Sequence, residues 1–418
     1  MKTVLFSLLF SGAYAFPWVA NEPGVVSPWS EFANGHRLKA RQQAGIGACP
    51  FNANHKPANP ITDKYPYNGA KNGLPGKGKG GFQVPADGDT AHQFVAPGAN
   101  DIRGPCPGLN AAANHNFLAH DGITTFNELV DAQQNVYNVG YDLSLLLAAL
   151  GLTLTDGDIV TEKLSIGCDA TSRTSFNSAL TGSEPGLNGH NKFEADTSLT
   201  RNDYFLANGD NYKFNGTLFG MMDDTCGSNF DLQGLAKYRK QRYEQSLAQN
   251  GNFFFGPLSL LLYGAASFLY ELMPNGNHGY KPDLETISTF FGAKKNSDGT
   301  WGYTAEKIPD KWTNRVSPYT NNDVTSQILQ MYLLDPVLFG GSTAQGKFDT
   351  IDFGAIKDGK IDAGISATST SCLLYQLATG NIPSSLNGLV TPTVKALTFI
   401  TTKISPSFKN LGCPIPLT

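Results

Sequence analysis

Neither sign of charge is in large excess in this sequence: 31 Lys and Arg stand against 35 Asp and Glu, a formal net charge of −4. No basic footprint points to nucleic acid or to an anionic membrane surface. Also missing is any run of about 20 apolar residues of the kind a membrane span needs. The nearest approach, "LSLLLAALGLTL" from Leu143, is short and has polar flanks. Internal repeats are absent, and the alternating pattern of strands is rare and scattered.

What remains is a chain of 418 residues with 40% hydrophobic content, ample for a packed core in one or two domains. It begins "MKTVLFSLLFSGAYAF": a lysine, an apolar run, then Ala13-Tyr14-Ala15. That is the pattern of a secretory signal peptide, residues 1–15, cut after Ala15. Secretion is expected, and the sequon Asn215-Gly216-Thr217 is compatible with glycosylation there. Residues 16–103 are rich in Gly, Pro, Asn and Lys, as in "NGLPGKGKGGFQVPADGD". This reads as an irregular arm: a propeptide, a wrap on the main domain, or a partly disordered segment.

From Cys106 onward the pattern turns helical. Thr125 and Glu128 have the spacing of a capping box, and apolar steps of three and four predict a helix from there to about Leu150. Further helices are expected at 158–165, 197–207, 230–248, 256–273, 282–291, 322–334, 367–378 and 386–403. The fold class is therefore all-α, a single mostly helical domain over residues 104–418 with long Gly/Pro-rich loops.

Two Cys-Pro pairs, "GACPFN" around Cys49 and "GPCPGLN" around Cys106, raise the question of chemistry. Pro107 pushes Cys106 into an extended conformation and itself suits the first turn of a helix. Cys106 then precedes a helix N-terminus, where the Gly108 and Leu109 N–H groups and the helix dipole favour a thiolate. Such a group can be a nucleophile, a metal or haem ligand, or a disulfide partner. Cys49 has nothing beyond the disulfide reading in its favour.

"PCPGLN" followed by "GLNGHNKFEADTSLTRND" resembles the two signature segments of the haem-thiolate peroxidase family, which includes chloroperoxidase and the aromatic peroxygenases. The resemblance implies that Cys106 is the axial ligand of haem b. It implies a magnesium ion on the Glu194 carboxylate, the Ala195 carbonyl and Ser198, and it puts Phe193 on the substrate side of the haem. Hydrogen peroxide and a small organic substrate would be the partners, in a monomer or homodimer. By itself the same stretch reads as a helix start capped by Asp196 or Thr197.

The pattern breaks at "YGAASF", where Ala265 stands in place of the family's acid–base glutamate, and Leu258 and Ser259 in place of its companion arginine. Glu271 falls on a different helical face from Ala265. A peroxide-using enzyme with another donor (His278, Glu271 or water), a biosynthetic haem-thiolate enzyme, and a haem-binding protein without turnover all remain open. By the same resemblance Phe268 and Val139 line a substrate channel, roomy and apolar because Val139 replaces an aromatic residue. Cys372 and Cys413 match the family's C-terminal disulfide, worth roughly 4 kcal/mol. Cys49, Cys168 and Cys226 are left over, so at least one lies outside an intrachain pair.

Overall fold

The computed structural model describes residues 55–155, 157, 159, 161–168, 186–190, 196–207, 209–344, 347–352, 355–362, 364–378 and 394–409. Among these the chain is mostly helical, with ten α-helices. They are α1 (Pro107–Asn114), α2 (Phe126–Tyr137), α3 (Tyr141–Leu154), α4 (Gly216–Cys226), α5 (Leu232–Gln249), α6 (Leu260–Glu271), α7 (Leu284–Phe291), α8 (Asn321–Leu334), α9 (Ala367–Ala378) and α10 (Val394–Lys409). Helix α8 sits at the centre and packs on α5, α6 and α9; α9 leads through α10 to the α2/α3 pair. No helix among the described residues is long and apolar enough to cross a membrane.

Strands are short, as the scarcity of alternation predicts, and all pair antiparallel. β1 (Ile123–Thr125) pairs with β2 (Lys163–Ser165), β3 (Phe254–Phe255) with β6 (Gly340–Ala344), and β6 with β7 (Lys347–Thr350). β4 (Ala293–Lys295) pairs with β5 (Trp301–Tyr303), and β8 (Ile356–Lys357) with β9 (Lys360–Ile361).

Several expected helices differ, for identifiable reasons. The Thr125–Glu128 capping box is present, but the helix behind it is two helices. Asn138 takes a left-handed φ of 52° and donates through Nδ2 to the Arg315 and Val316 carbonyls. Asparagine tolerates that conformation, and the tertiary bonds make it the favoured one. Within the expected helix 158–165, Lys163–Ser165 instead form β2 and pair with β1, after Glu162 turns left-handed (φ 54°). Residues 197–207 form turns rather than a helix. The expected helix 256–273 opens with a 3-10 turn, Pro257–Ser259, before α6. α4 falls outside the expected helices, and of the expected helix 386–403 residues 394–403 lie in α10 while 386–393 are outside the described residues.

Residues 55–103 are a wrap on the body. Tyr67 and Val84 enter the main core, and the glycine-rich backbone is held by one face of α2 and its cap. The Gly73 N–H donates to Asp131, the Gly76 N–H to Gln134, and the Gly69 and Ala70 N–H groups to Asn135 Oδ1. Asn68 donates to Asn138 at 2.7 Å. Positions 131, 134, 135 and 138 follow the helical repeat, so one polar stripe satisfies a strand-free segment. Gly80 lies so close to Arg315 that a Cβ would stand 2.0 Å from its carbonyl oxygen.

His115 follows α1 and joins the arm to the body. It is 2% exposed; Nδ1 donates to the His92 carbonyl at 2.9 Å and Nε2 accepts the Ile308 N–H at 3.2 Å. Burial, the largest influence, lowers its pKa from the usual 6.5 to about 4.

Two consequences are measurable. Asn135→Ala orphans buried arm backbone and is expected to cost roughly 2 kcal/mol in denaturant unfolding, with faster proteolysis between residues 68 and 80; an unchanged midpoint would refute the clamp. For His115, both folded and unfolded forms are neutral above pH 6.5, so nothing is lost there. As pH falls from 6.5 to 4 the unfolded imidazole binds the proton first, and stability should drop by about 3 kcal/mol. Unfolding curves across that range should be flatter for His115→Gln than for the wild type.

Candidate active site

Cys106 caps α1 in an extended conformation (φ −88°, ψ 109°), with Pro107 inside the first turn. Proline sterics dictate both features. The residue keeps its thiol, and Pro105 through Leu109 are all half-buried. The expected return of N–H groups to the sulfur is not realised as a cap, since the Cys106 side chain makes no N-cap hydrogen bond.

The turn is held from both sides. The Asn110 side chain accepts the Gly104 N–H at 3.0 Å and donates to the Gly104 carbonyl at 2.8 Å, while the Asn110 N–H donates to the Cys106 carbonyl at 3.1 Å. Gly104 admits no side chain, because a Cβ would lie 1.9 Å from the Ile166 carbonyl oxygen. From α2 the Tyr137 hydroxyl donates to the Gly108 carbonyl at 2.7 Å. Burial first, and the charge of Cys106 second, push that phenol well above its ordinary pKa, so it stays a donor.

The second signature segment is anchored to α5. Thr197 has a left-handed φ of 76°, and Arg239 donates to its carbonyl and, at 2.6 Å, to its hydroxyl. Arg242 donates to the Ser198 carbonyl at 3.0 Å and pairs with Asp203 at 3.0 Å. Asp196 accepts from the Tyr204 N–H and from Asn250. Burial, then the nearby Asp203, push the Asp196 carboxyl well above the usual range. Neither arginine was singled out from the sequence: "KYRKQRYEQ" reads as a solvated helix, and only the three-residue spacing of the pair hints at a shared face. The Arg239 guanidinium also lies 5.5 Å from the Tyr263 ring centroid, tying the segment to α6. Of the expected magnesium donors Ser198 is half-buried here; Phe193, Glu194 and Ala195 lie outside the described residues.

Helix α6 presents Leu261, Ala265 and Phe268 as a half-buried stripe at i, i+4 and i+7. Beside the stripe the helix is packed against α8, where Val324 and Ile328 lie close to Gly264. No acid or base stands on the stripe. Glu271 is engaged elsewhere, accepting from Arg315 at 2.7 Å and Gln327 at 2.5 Å. His278 is on an exposed turn, 3.1 Å from Asp283. Phe268 packs edge-on against Tyr319 with centroids 6.0 Å apart.

Other residues fall differently. Val139 is 2% exposed in the main core and bridges to Tyr319 through its backbone. Asn215 serves as the N-cap of α4 and donates to Asn202 at 2.6 Å. Cys168 and Cys372 are disulfide-bonded. Cys49 and Cys413 are outside the described residues. Cys226 is a thiol, and burial raises its pKa to about 12.

The residues present fit a haem. A thiol at a helix N-terminus, half-exposed among two prolines and a leucine, is the donor chemistry that a thiolate-ligated iron takes.

The chain is 27% identical to the aromatic peroxidase fscJ of Fusarium equiseti over 79% of its own length and 80% of that protein's. It is 28% identical to the dothistromin biosynthesis peroxidase dotB of Dothistroma septosporum over 73% and 78%. With the aromatic peroxygenase of Cyclocybe aegerita the identity is 29% over 78% and 81%. The family model described as peroxidase, family 2, matches residues 92–317. That span takes in the clamped Cys106 turn, the arginine-held segment and all of α6, and the chain accordingly belongs to the haem-thiolate peroxidase family and is an oxidoreductase.

Proposed function

We propose that this oxidoreductase uses hydrogen peroxide to oxidise or oxygenate a bulky apolar organic molecule, with haem b on Cys106 and an altered distal acid–base site. The observation that carries the reading is the rigid, half-exposed Cys106 thiol at the start of α1. Haem bound through a thiolate supplies an electron-rich iron that favours O–O cleavage. The chain's own part is to fix the sulfur by the Asn110 clamp and to favour its negative charge at the α1 N-terminus. The Leu261, Ala265 and Phe268 stripe offers an apolar wall that excludes water and suits an apolar substrate. Position 265 itself has no atom to hold or move a proton.

Glu194, Ala195 and Ser198 are the proposed magnesium donors, hard oxygens of the kind that ion takes. Support comes from the motif and from the double arginine grip on Thr197 and Ser198. Secretion with a signal peptide at 1–15, and a Cys372–Cys413 bridge, belong to the same proposal. The disulfide-bonded state of Cys168 and Cys372 favours an oxidising compartment. A second reading, oxidation within a biosynthetic sequence, is favoured by the likeness to the dothistromin biosynthesis peroxidase.

The reduced, carbon-monoxide-bound spectrum tests the ligand. A strongly red-shifted Soret band should vanish in Cys106→Ala and persist in Cys226→Ala; a band indifferent to Cys106 would sink the proposal. Ala265→Glu should raise peroxidase turnover by roughly 10²-fold or more if the missing proton carrier is what limits it. Unchanged turnover in a folded, haem-loaded variant would show that the proton is handled away from α6.

A further inference from the structure

Behind the Cys106 turn lies a set of buried charges that the proposed function leaves without a role. Glu306, whose side chain is 2% exposed, follows β5 in the chain and reaches back to α1. Its Oε1 accepts from Asn110 Nδ2 at 2.9 Å, the same Asn110 that brackets Gly104 and Cys106. Its Oε2 accepts from the Tyr303 hydroxyl at 2.6 Å, and its carbonyl accepts from Asn114 at 2.7 Å. Arg201, 3% exposed, approaches Oε1 at 3.9 Å. The Arg201 Nη1 donates to Thr200 at 3.0 Å, and its Nε is buried without a hydrogen-bond partner. Arg103 completes the set: Nε donates to Asn114 at 2.8 Å, and one terminal nitrogen, Nη2, is likewise buried and unpartnered.

We infer that Glu306 and Arg201 are positioning residues which, through Asn110 and the field they exert, set the electron density on the Cys106 sulfur and with it the potential of the iron. This rests on Cys106 being the haem ligand. Arg201 and Glu306 are almost fully buried and so weakly screened, with Arg103 half-buried beside them and Asp101, Asp121 and Asp210 as further negative charges, so removing either buried charge changes the field by one unit of known sign. The 3.9 Å separation of Arg201 from Glu306 leaves the guanidinium charge incompletely countered. Burial pushes the Arg201 pKa down, and the groups that oppose this are Glu306, Tyr303, Cys106 and Asp210 in that order, so the cluster and the sulfur act on one another. Groups outside the ligand shell commonly tune a metal site through such contacts.

Charge arithmetic gives the two substitutions opposite signs. Glu306→Gln removes the negative charge, favours the reduced iron and should raise the reduction potential. Arg201→Gln removes a positive charge and should lower it. Loosening of the turn without an electrostatic effect would move both in the same direction. Tyr303 is 52% exposed, so Tyr303→Phe deletes one hydrogen bond to Glu306 with little demand on folding; it leaves the carboxylate more strongly negative and should lower the potential by less than Arg201→Gln.

The experiment is a spectroelectrochemical titration of the haem-loaded wild type and the three variants, each first checked for its carbon-monoxide-bound Soret band. Opposite shifts for Glu306→Gln and Arg201→Gln, with the thiolate band retained, support the inference. Shifts of the same sign, or none, overturn it while leaving Cys106 as ligand. If either buried substitution abolishes folding, the sign of the Tyr303→Phe shift decides. A wild type without the thiolate band overturns the ligand reading itself, and this inference with it.

Discussion

Buried backbone that belongs to neither helix nor strand must still find hydrogen-bond partners, and in this protein asparagine side chains repeatedly supply them. Asn135 holds Gly69 and Ala70, Asn138 reaches the Arg315 and Val316 carbonyls, Asn314 accepts from Gly81 and Phe82, and Asn110 brackets Gly104. An amide side chain offers a donor and an acceptor at once, so it pairs with a peptide group as a second peptide would. The long Gly/Pro-rich loops are possible because helices lend them such partners.

The site depends on the same device. The two signature segments, the Cys106 turn and the stretch from Asp196 to Asp203, are each held by side chains from elsewhere rather than by strand pairing. Asn110 and Tyr137 fix the first; Arg239 and Arg242 fix the second. A guanidinium in the interior is costly unless its N–H groups are met, and here loop carbonyls, a hydroxyl and the Asp203 carboxylate meet the terminal nitrogens of Arg239 and Nε and Nη2 of Arg242. The demand runs both ways: α5 can bury its arginines because the loop passes there, and the loop keeps the left-handed Thr197 because the arginines hold it.

Against this rigid side, α6 contributes an apolar stripe without a titratable group. Glu271 lies one turn beyond Phe268 yet is tied to Arg315 and Gln327. The contrast between a heavily charged cluster behind Cys106 and a neutral wall on α6 is the electrostatic asymmetry from which the proposed chemistry proceeds.

What the sequence determined by itself was local. Proline sterics made Cys106 extended and started α1, Thr125 with Glu128 started α2, and three- and four-residue apolar steps located α5 to α9. The family resemblance added the expectation that this sulfur holds the haem. Tertiary structure decided the rest, because the deciding forces act between residues distant in the chain. Asn138 breaks the long apolar helix for the sake of carbonyls beyond residue 314. The Val139 backbone bridges to Tyr319, far along the chain. Glu306 meets Asn110 across 196 residues. No local pattern announces a hydrogen bond of that span, since its energy exists only once the core has brought its two ends together.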